Sequence, residues 1–212
     1  RNKRKKKDTS EPTMAAEKHG NGDGENSEFW KYWVDNGFVQ NDSEKMAKSL
    51  GKFKTIRDIL KSYLTEVLRF FMLTRQYRSP IDFSTEAIED AEKNLQRIYQ
   101  SLAGMDAFLA RCPTPGEAAV KTDQTLLDEV NKIARSWDEA MSDDMNTAAA
   151  LGHVNSLVHL ANRALEDKAL VKSKAGCGVI ARIRELFAAW NNVLGLFGQE
   201  PAAFLAALRD IK

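Results

Sequence analysis

Only two cysteines, Cys112 and Cys177, occur in the 212 residues, with no CxxC spacing. That scarcity excludes a disulfide framework and a four-thiolate zinc site, and a reducing compartment fits it. No apolar run approaches the roughly 18 residues that a membrane helix needs, and the basic start is not followed by a hydrophobic signal core. A soluble, cytoplasmic chain with no membrane partner is expected. An excess of one charge is lacking too: 31 Lys and Arg face 30 Asp and Glu. Six of the first seven residues are basic, which leaves 25 cationic and 30 anionic side chains in the rest. The body is mildly acidic, so bulk charge gives no argument for nucleic-acid binding.

What is present supports a packed interior: 43% of the residues are apolar, enough for one large or two small domains. Residues 1–27 combine the basic run with Gly-rich, polar sequence and read as a disordered tail, in which Lys3 to Lys7 fit a nuclear address or a polyanion contact. Aromatic residues crowd at Phe29, Trp30, Tyr32 and Trp33, where anchored structure must begin. Asn36-Gly37 supplies a turn, and residues 38–40 fit a short strand before a polar loop over 41–54.

From Thr55 onward the pattern is helical, with two short helices broken near Leu64-Thr65. Ser84 caps a longer helix whose apolar positions step from Ile88 to Leu102 and end at Gly104. Residues 111–123 form a Pro/Gly connection, after which the second helical group is expected to move somewhat independently. Its faces run over Leu126 to Met141, Leu151 to Leu165 and Ile180 to Leu194, and Pro201 starts a last short helix. The predicted fold is mainly α. A strand-and-loop piece over 28–54 leads into helices over 55–110, the linker at 111–123 and an antiparallel helical bundle over 124–212.

The densest polar segment, residues 43–54, holds four lysines, a hydroxyl and a glycine before a helix, which suits a phosphate-binding loop. Its core, Lys45-Met46-Ala47-Lys48-Ser49, resembles the Lys-Met-Ser-Lys-Ser signature of class I aminoacyl-tRNA synthetases. Five further landmarks follow one member of that class in order: Tyr32-Trp33-Val34-Asp35-Asn36-Gly37-Phe38-Val39, Thr55-Ile56-Arg57-Asp58, Glu66-Val67-Leu68-Arg69-Phe70-Phe71, Tyr77-Arg78-Ser79-Pro80, and Asp143-Asp144-Met145-Asn146-Thr147. Together they resemble the cysteinyl-tRNA synthetase family from about Phe29 to Leu205.

The resemblance implies ATP-dependent activation of cysteine and its transfer to the terminal adenosine of cysteine-specific tRNA. It implies phosphate contacts from Lys45 and Lys48, supported by Ser49, as catalytic and ATP-binding residues. The family's His-Ile-Gly-His-type sequence is absent from these residues, as are the Cys, His and Glu side chains that hold its zinc. No metal ligand set is expected here. Asp35 stands where the family commonly has histidine, Ala47 where it has serine, and Lys52 where it has asparagine.

The chain therefore reads as the downstream half of a cysteine–tRNA ligase, inactive alone, which would act with an upstream catalytic half encoded separately or lying outside this sequence. A non-catalytic tRNA-binding module, or an interaction protein using its basic tail, are the alternatives. Arg57, Arg69, Arg75 and Arg78 are the RNA-contact candidates. Asp143 and Asp144 read as capping and first-turn charges of a helix. Trp137 and Trp190 fall on apolar stripes and belong to the core. His153 and His159, six apart, do not share a face as metal ligands would.

Overall fold

The computed structural model describes residues 34–41, 44–45, 55–112, 123–173 and 176–211. The expected tail, most of the signature loop and most of the linker lie outside them. Among the described residues, no helix is long and apolar enough to cross a membrane.

Strand β1 (Val39–Asn41) pairs antiparallel with β2 (Glu44–Lys45) and parallel with β3 (Ile81–Asp82), in the order β2-β1-β3. The sequence pointed to β1 alone. Strands of two residues are too short to leave an alternating pattern, and these two depend on the partner they find in β1.

Helix α1 (Ile56–Ile59) starts with a capping box, in which Asp58 N–H donates to Thr55 Oγ1 (3.1 Å) and Thr55 N–H donates to Asp58 Oδ2 (3.4 Å), beside a hydroxyl bond from Thr55 Oγ1 to Asp58 Oδ2 (2.6 Å). Helix α2 (Thr65–Leu73) follows the expected break, with Leu64 in extended backbone as its N-cap. Ser84 caps α3 (Thr85–Leu109), accepting from Ala87 N–H at 3.2 Å. Gly104 does not end α3, which runs on to Leu109 because Met105 and Phe108 continue its buried stripe.

Asp123 caps α4 (Gln124–Ser142) and Asn146 caps α5 (Thr147–Glu166). A short α6 (Lys168–Ser173), absent from the sequence reading, precedes α7 (Gly176–Leu194). Pro201 opens α8 (Pro201–Asp210), whose first amides are accepted by the Glu200 side chain.

The two helical groups share one buried cluster, because α3 packs against α5, α7 and α8. Leu95, Ile98, Leu102 and Met105 of α3 are at most 1% exposed, and each such side chain contributes about 1.5–3 kcal/mol by leaving water. Trp137 and Trp190 stack with centroids 5.1 Å apart inside this core, as their spacing implied.

The cysteines give a further correction. Cys112, just past α3, and Cys177, in the first turn of α7, are joined in a disulfide with Cα atoms 6.0 Å apart. Their separation of 65 residues gave no sign of pairing. Packing does: a Cβ placed on Gly176 would lie 3.5 Å from the Phe108 ring, so the start of α7 sits at the end of α3. The argument from free thiols for a reducing compartment falls with it.

Candidate functional site

Lys45 belongs to β2, so the lysine segment continues directly from the small sheet. Lys48 and Ser49 lie outside the described residues, and only the backbone of Lys45 is described. What is described is the base from which that segment departs.

Three distant motif segments meet there. Gly37 N–H donates to Tyr77 O at 2.7 Å, Ile81 N–H to Phe38 O at 3.0 Å, and Phe83 N–H to Gln40 O at 2.8 Å. The approach is so close that a Cβ on Gly37 would fall 2.4 Å from Ser79 O. Glycine at this position is required by contact with backbone, which cannot rotate away.

The same turn grips the bundle. Arg78 donates from Nε to Asp144 Oδ2 (2.7 Å) and from Nη2 to Oδ1 (3.2 Å), Tyr77 OH donates to Oδ1 (2.7 Å), and Gln76 Nε2 donates to the Asp144 carbonyl (3.3 Å) and to Oδ2 (3.2 Å). Thr147 Oγ1 adds a bond to Arg75 O at 3.3 Å. Arg78, then Tyr77, hold the Asp144 carboxyl below the ordinary carboxylate value, while the bond to Asp144 raises the Tyr77 phenol.

Asp144 and Met145 both have φ near 52°, a conformation costing non-glycine residues about 1–3 kcal/mol each. The bonds from residues 76–78 hold that turn in place. Asp144 is therefore not the helix cap that the sequence suggested. Asn146 Oδ1 caps α5, accepting from Ala149 N–H at 3.1 Å, and Asp143 ends α4.

The four arginine candidates separate. Arg78 is committed to Asp144. Arg69 lies across Gly195, where an added Cβ would stand 2.9 Å from a guanidinium nitrogen. Arg57 and Arg75 are exposed and make no ion pair among the described residues.

A buried acid that the sequence marked only as part of a landmark, with no role, anchors the turn between α7 and α8. Glu66 of α2, 7% exposed, accepts from Tyr99 OH (2.9 and 3.0 Å), Phe197 N–H (2.6 Å) and Gln199 Nε2 (2.8 Å). Burial, then the Glu66 charge, push the Tyr99 phenol up. Phe197 has φ 68°, and its bond to Glu66 holds the turn between α7 and α8 in place. The available signal was a carboxylate on the same stripe as Phe70, one helical turn away.

Among the described residues, no group of three or more His, Cys, Asp or Glu could hold a metal ion, and both cysteines are bonded to each other.

Comparison with known proteins agrees with the order of the motifs. The family model for the class I (C) tRNA synthetase catalytic domain matches residues 14–93, and that for the DALR domain matches residues 136–198. The cysteine–tRNA ligase of Oleidesulfovibrio alaskensis is 50% identical over 185 residues, covering 87% of this chain and 38% of the relative. That of Nitratidesulfovibrio vulgaris strain Hildenborough is 51% identical over 187 residues, covering 87% of this chain and 37% of the relative. That of Lawsonia intracellularis is 43% identical over 187 residues, covering 88% and 38%. The chain thus spans less than two fifths of the length of these relatives, and within that span it belongs to the cysteinyl-tRNA synthetase family as its downstream, C-terminal part.

Proposed function

We propose that the chain serves cysteine–tRNA ligation as the part that bases the signature loop and docks cysteine-specific tRNA. The observation that carries this reading is the meeting of three motif segments: Gly37 seated on Ser79, and Tyr77 and Arg78 clasping Asp144. Strands leading to the lysine segment are thereby tied to the N-terminal end of a bundle helix.

In the proposed reaction, the cysteine carboxylate attacks the α-phosphorus of ATP and pyrophosphate leaves. The cysteinyl group then passes to the terminal adenosine of the tRNA. Lys45 and Lys48 would stabilise the negative charge that grows on the departing pyrophosphate, with Ser49 supporting them. Asp35 would place a carboxylate where the family commonly has a histidine.

The groups that bind cysteine and most of those that bind ATP would come from outside these 212 residues, whether in the same polypeptide or encoded separately. The described residues do not fit the family's zinc, and no step is assigned to it here. The cytoplasm is the proposed setting.

Binding of cysteine-specific tRNA to the purified chain, beside a noncognate tRNA and across a salt series, tests the docking role. Preference for the cognate tRNA that persists at moderate salt supports it, and weak binding equal for both and erased by salt contradicts it. The chain alone is expected to show no cysteine-dependent ATP–pyrophosphate exchange above a Lys48→Ala control.

A further inference from the structure

Three helices meet beside the disulfide. A Cβ on Gly176 would stand 3.5 Å from the Phe108 ring near the end of α3 and 3.9 Å from Cβ of Leu170 in α6, and Cys177 follows Gly176 in the first turn of α7. Cys112, just past α3, is partly exposed, whereas Cys177 is 4% exposed. One end of the bond is therefore reachable from solvent and the other is enclosed.

We propose that Cys112 and Cys177 form a reversible redox switch, opened by small-molecule thiols and closed by small-molecule disulfides, which sets the order of α6 and of the start of α7. The inference goes beyond the ligation reading and rests only on the cytoplasmic setting proposed with it. In a compartment that keeps thiols reduced, a disulfide with a reachable end is conditional on the surrounding thiol–disulfide balance.

The exchange balances. In closing, the Cys112 thiolate attacks one sulfur of cystine, forms a mixed disulfide and releases one cysteine. The Cys177 thiolate then attacks the Cys112 sulfur and expels the second cysteine. The protein dithiol gives up two electrons and two protons, and one cystine becomes two cysteines. Opening runs the same steps in reverse, with the incoming thiolate on the Cys112 sulfur and Cys177 as the leaving group. The first turn of α7 places Cys177 at the positive end of a 19-residue helix, which favours a departing thiolate.

Two observations make this bond a switch. The sulfurs have reason to stay close once it opens, because other contacts join the same two helices. Met105 and Phe108 of α3 and Ile180 and Ile183 of α7 are at most 5% exposed in the shared core, and Arg184 of α7 donates to Asp106 of α3 from Nε (2.7 Å) and Nη2 (3.2 Å). An opened pair therefore keeps a high effective concentration and can close again. The neighbouring segment, in contrast, is lightly held. Helix α6 has six residues and, among the described residues, no buried side chain; Leu170 and Val171 reach the core only partly buried. Elements with few buried contacts open first, so the loss of a covalent tie at its edge falls on α6 and the start of α7.

The test equilibrates the whole chain in cysteine/cystine mixtures of graded ratio, once from the oxidised and once from the reduced protein. Acid quenching, alkylation and mass analysis then follow the peptides that hold residues 112 and 177. One two-electron transition is expected, the same from both directions, with the reduced protein still unfolding cooperatively at a lower temperature. Amide exchange in α6 and the first turn of α7 should be about tenfold or more faster in the reduced parent and in Cys112→Ser/Cys177→Ser, with α5 within about twofold. A bond that survives every mixture and opens only in denaturant overturns the switch, as do thiols that stay free in every mixture. Reduction that unfolds the whole chain, or that leaves exchange in α6 unchanged, overturns its conformational output. None of these results depends on tRNA, so the ligation reading stands or falls by its own test.

Discussion

Arg78 and Asp144, 66 residues apart, form a two-point ion pair in which Nε lies 2.7 Å from Oδ2 and Nη2 lies 3.2 Å from Oδ1. Both side chains are largely exposed, so Coulomb attraction alone would be weak. Its consequence comes from its place: it holds a strained backbone turn of the bundle against the segment that also receives Gly37.

This clasp makes stability depend on acidity in a defined direction. Asp144 has a lowered pKa in the fold, so its contribution is present above the ordinary carboxylate value of 3.8 and is lost as pH falls. Urea unfolding of the parent should lose more stability than that of Asp144→Asn on going from about pH 6 to about pH 3. Equal losses in the two proteins would mean that the carboxylate contributes nothing.

Glu66 is the anchor of the turn before α8. Removing it in Glu66→Ala leaves Tyr99 OH, Phe197 N–H and Gln199 Nε2 short of an acceptor, with an expected loss of about 2–4 kcal/mol in denaturant unfolding. Amide exchange in α8 should accelerate more than in α5. Uniform acceleration would instead indicate global loosening.

The disulfide closes a long loop. With a sequence separation of 65 between the cysteines, chain-entropy arguments put its contribution at about 4 kcal/mol. Reductant should lower the melting temperature of the parent and leave Cys112→Ser/Cys177→Ser unchanged. Peptide mass analysis without reductant should recover residues 112 and 177 in one linked species; two free thiols would refute the pairing.

Gly37→Ala forces a methyl group onto Ser79 O. An overpacking cost of about 1–3 kcal/mol is expected, with loss of amide protection at Ile81 and Phe83, whose N–H groups bond to β1 and its approach. Retained protection at both amides would show that the sheet accommodates the methyl group.

Helix positions were legible in the sequence because α3, α4, α5 and α7 each bury a long stripe of apolar residues at three- and four-residue steps. Ser84 and Pro201 mark starts for local chemical reasons, and they do so in the structure. The strand β3 was not legible because its partner β1 lies far back in the chain, and β2 and α6 were not because elements so short leave no periodic pattern. The Cys112 to Cys177 bond depends on how α3 meets α7, which no local spacing encodes. Arg78 was visible as a notable residue through its motif, but its partner was not: an Asp-Asp pair before a helix has the composition of a cap, and only the left-handed turn at Asp144 redirects the carboxylate. The phosphate-contact roles of Lys45, Lys48 and Ser49 rest on the motif alone.

The central claim is that these residues serve cysteine–tRNA ligation when joined to the groups they lack. The most direct measurement joins this chain to the upstream part of the Oleidesulfovibrio alaskensis cysteine–tRNA ligase, its 50% identical relative, in place of the matching segment, and assays charging of tRNA with cysteine. The account predicts charging by the chimera and a loss of about 10²-fold or more in Lys48→Ala, as removal of transition-state charge stabilisation requires. A folded chimera that binds ATP and cysteine yet charges no tRNA would contradict it.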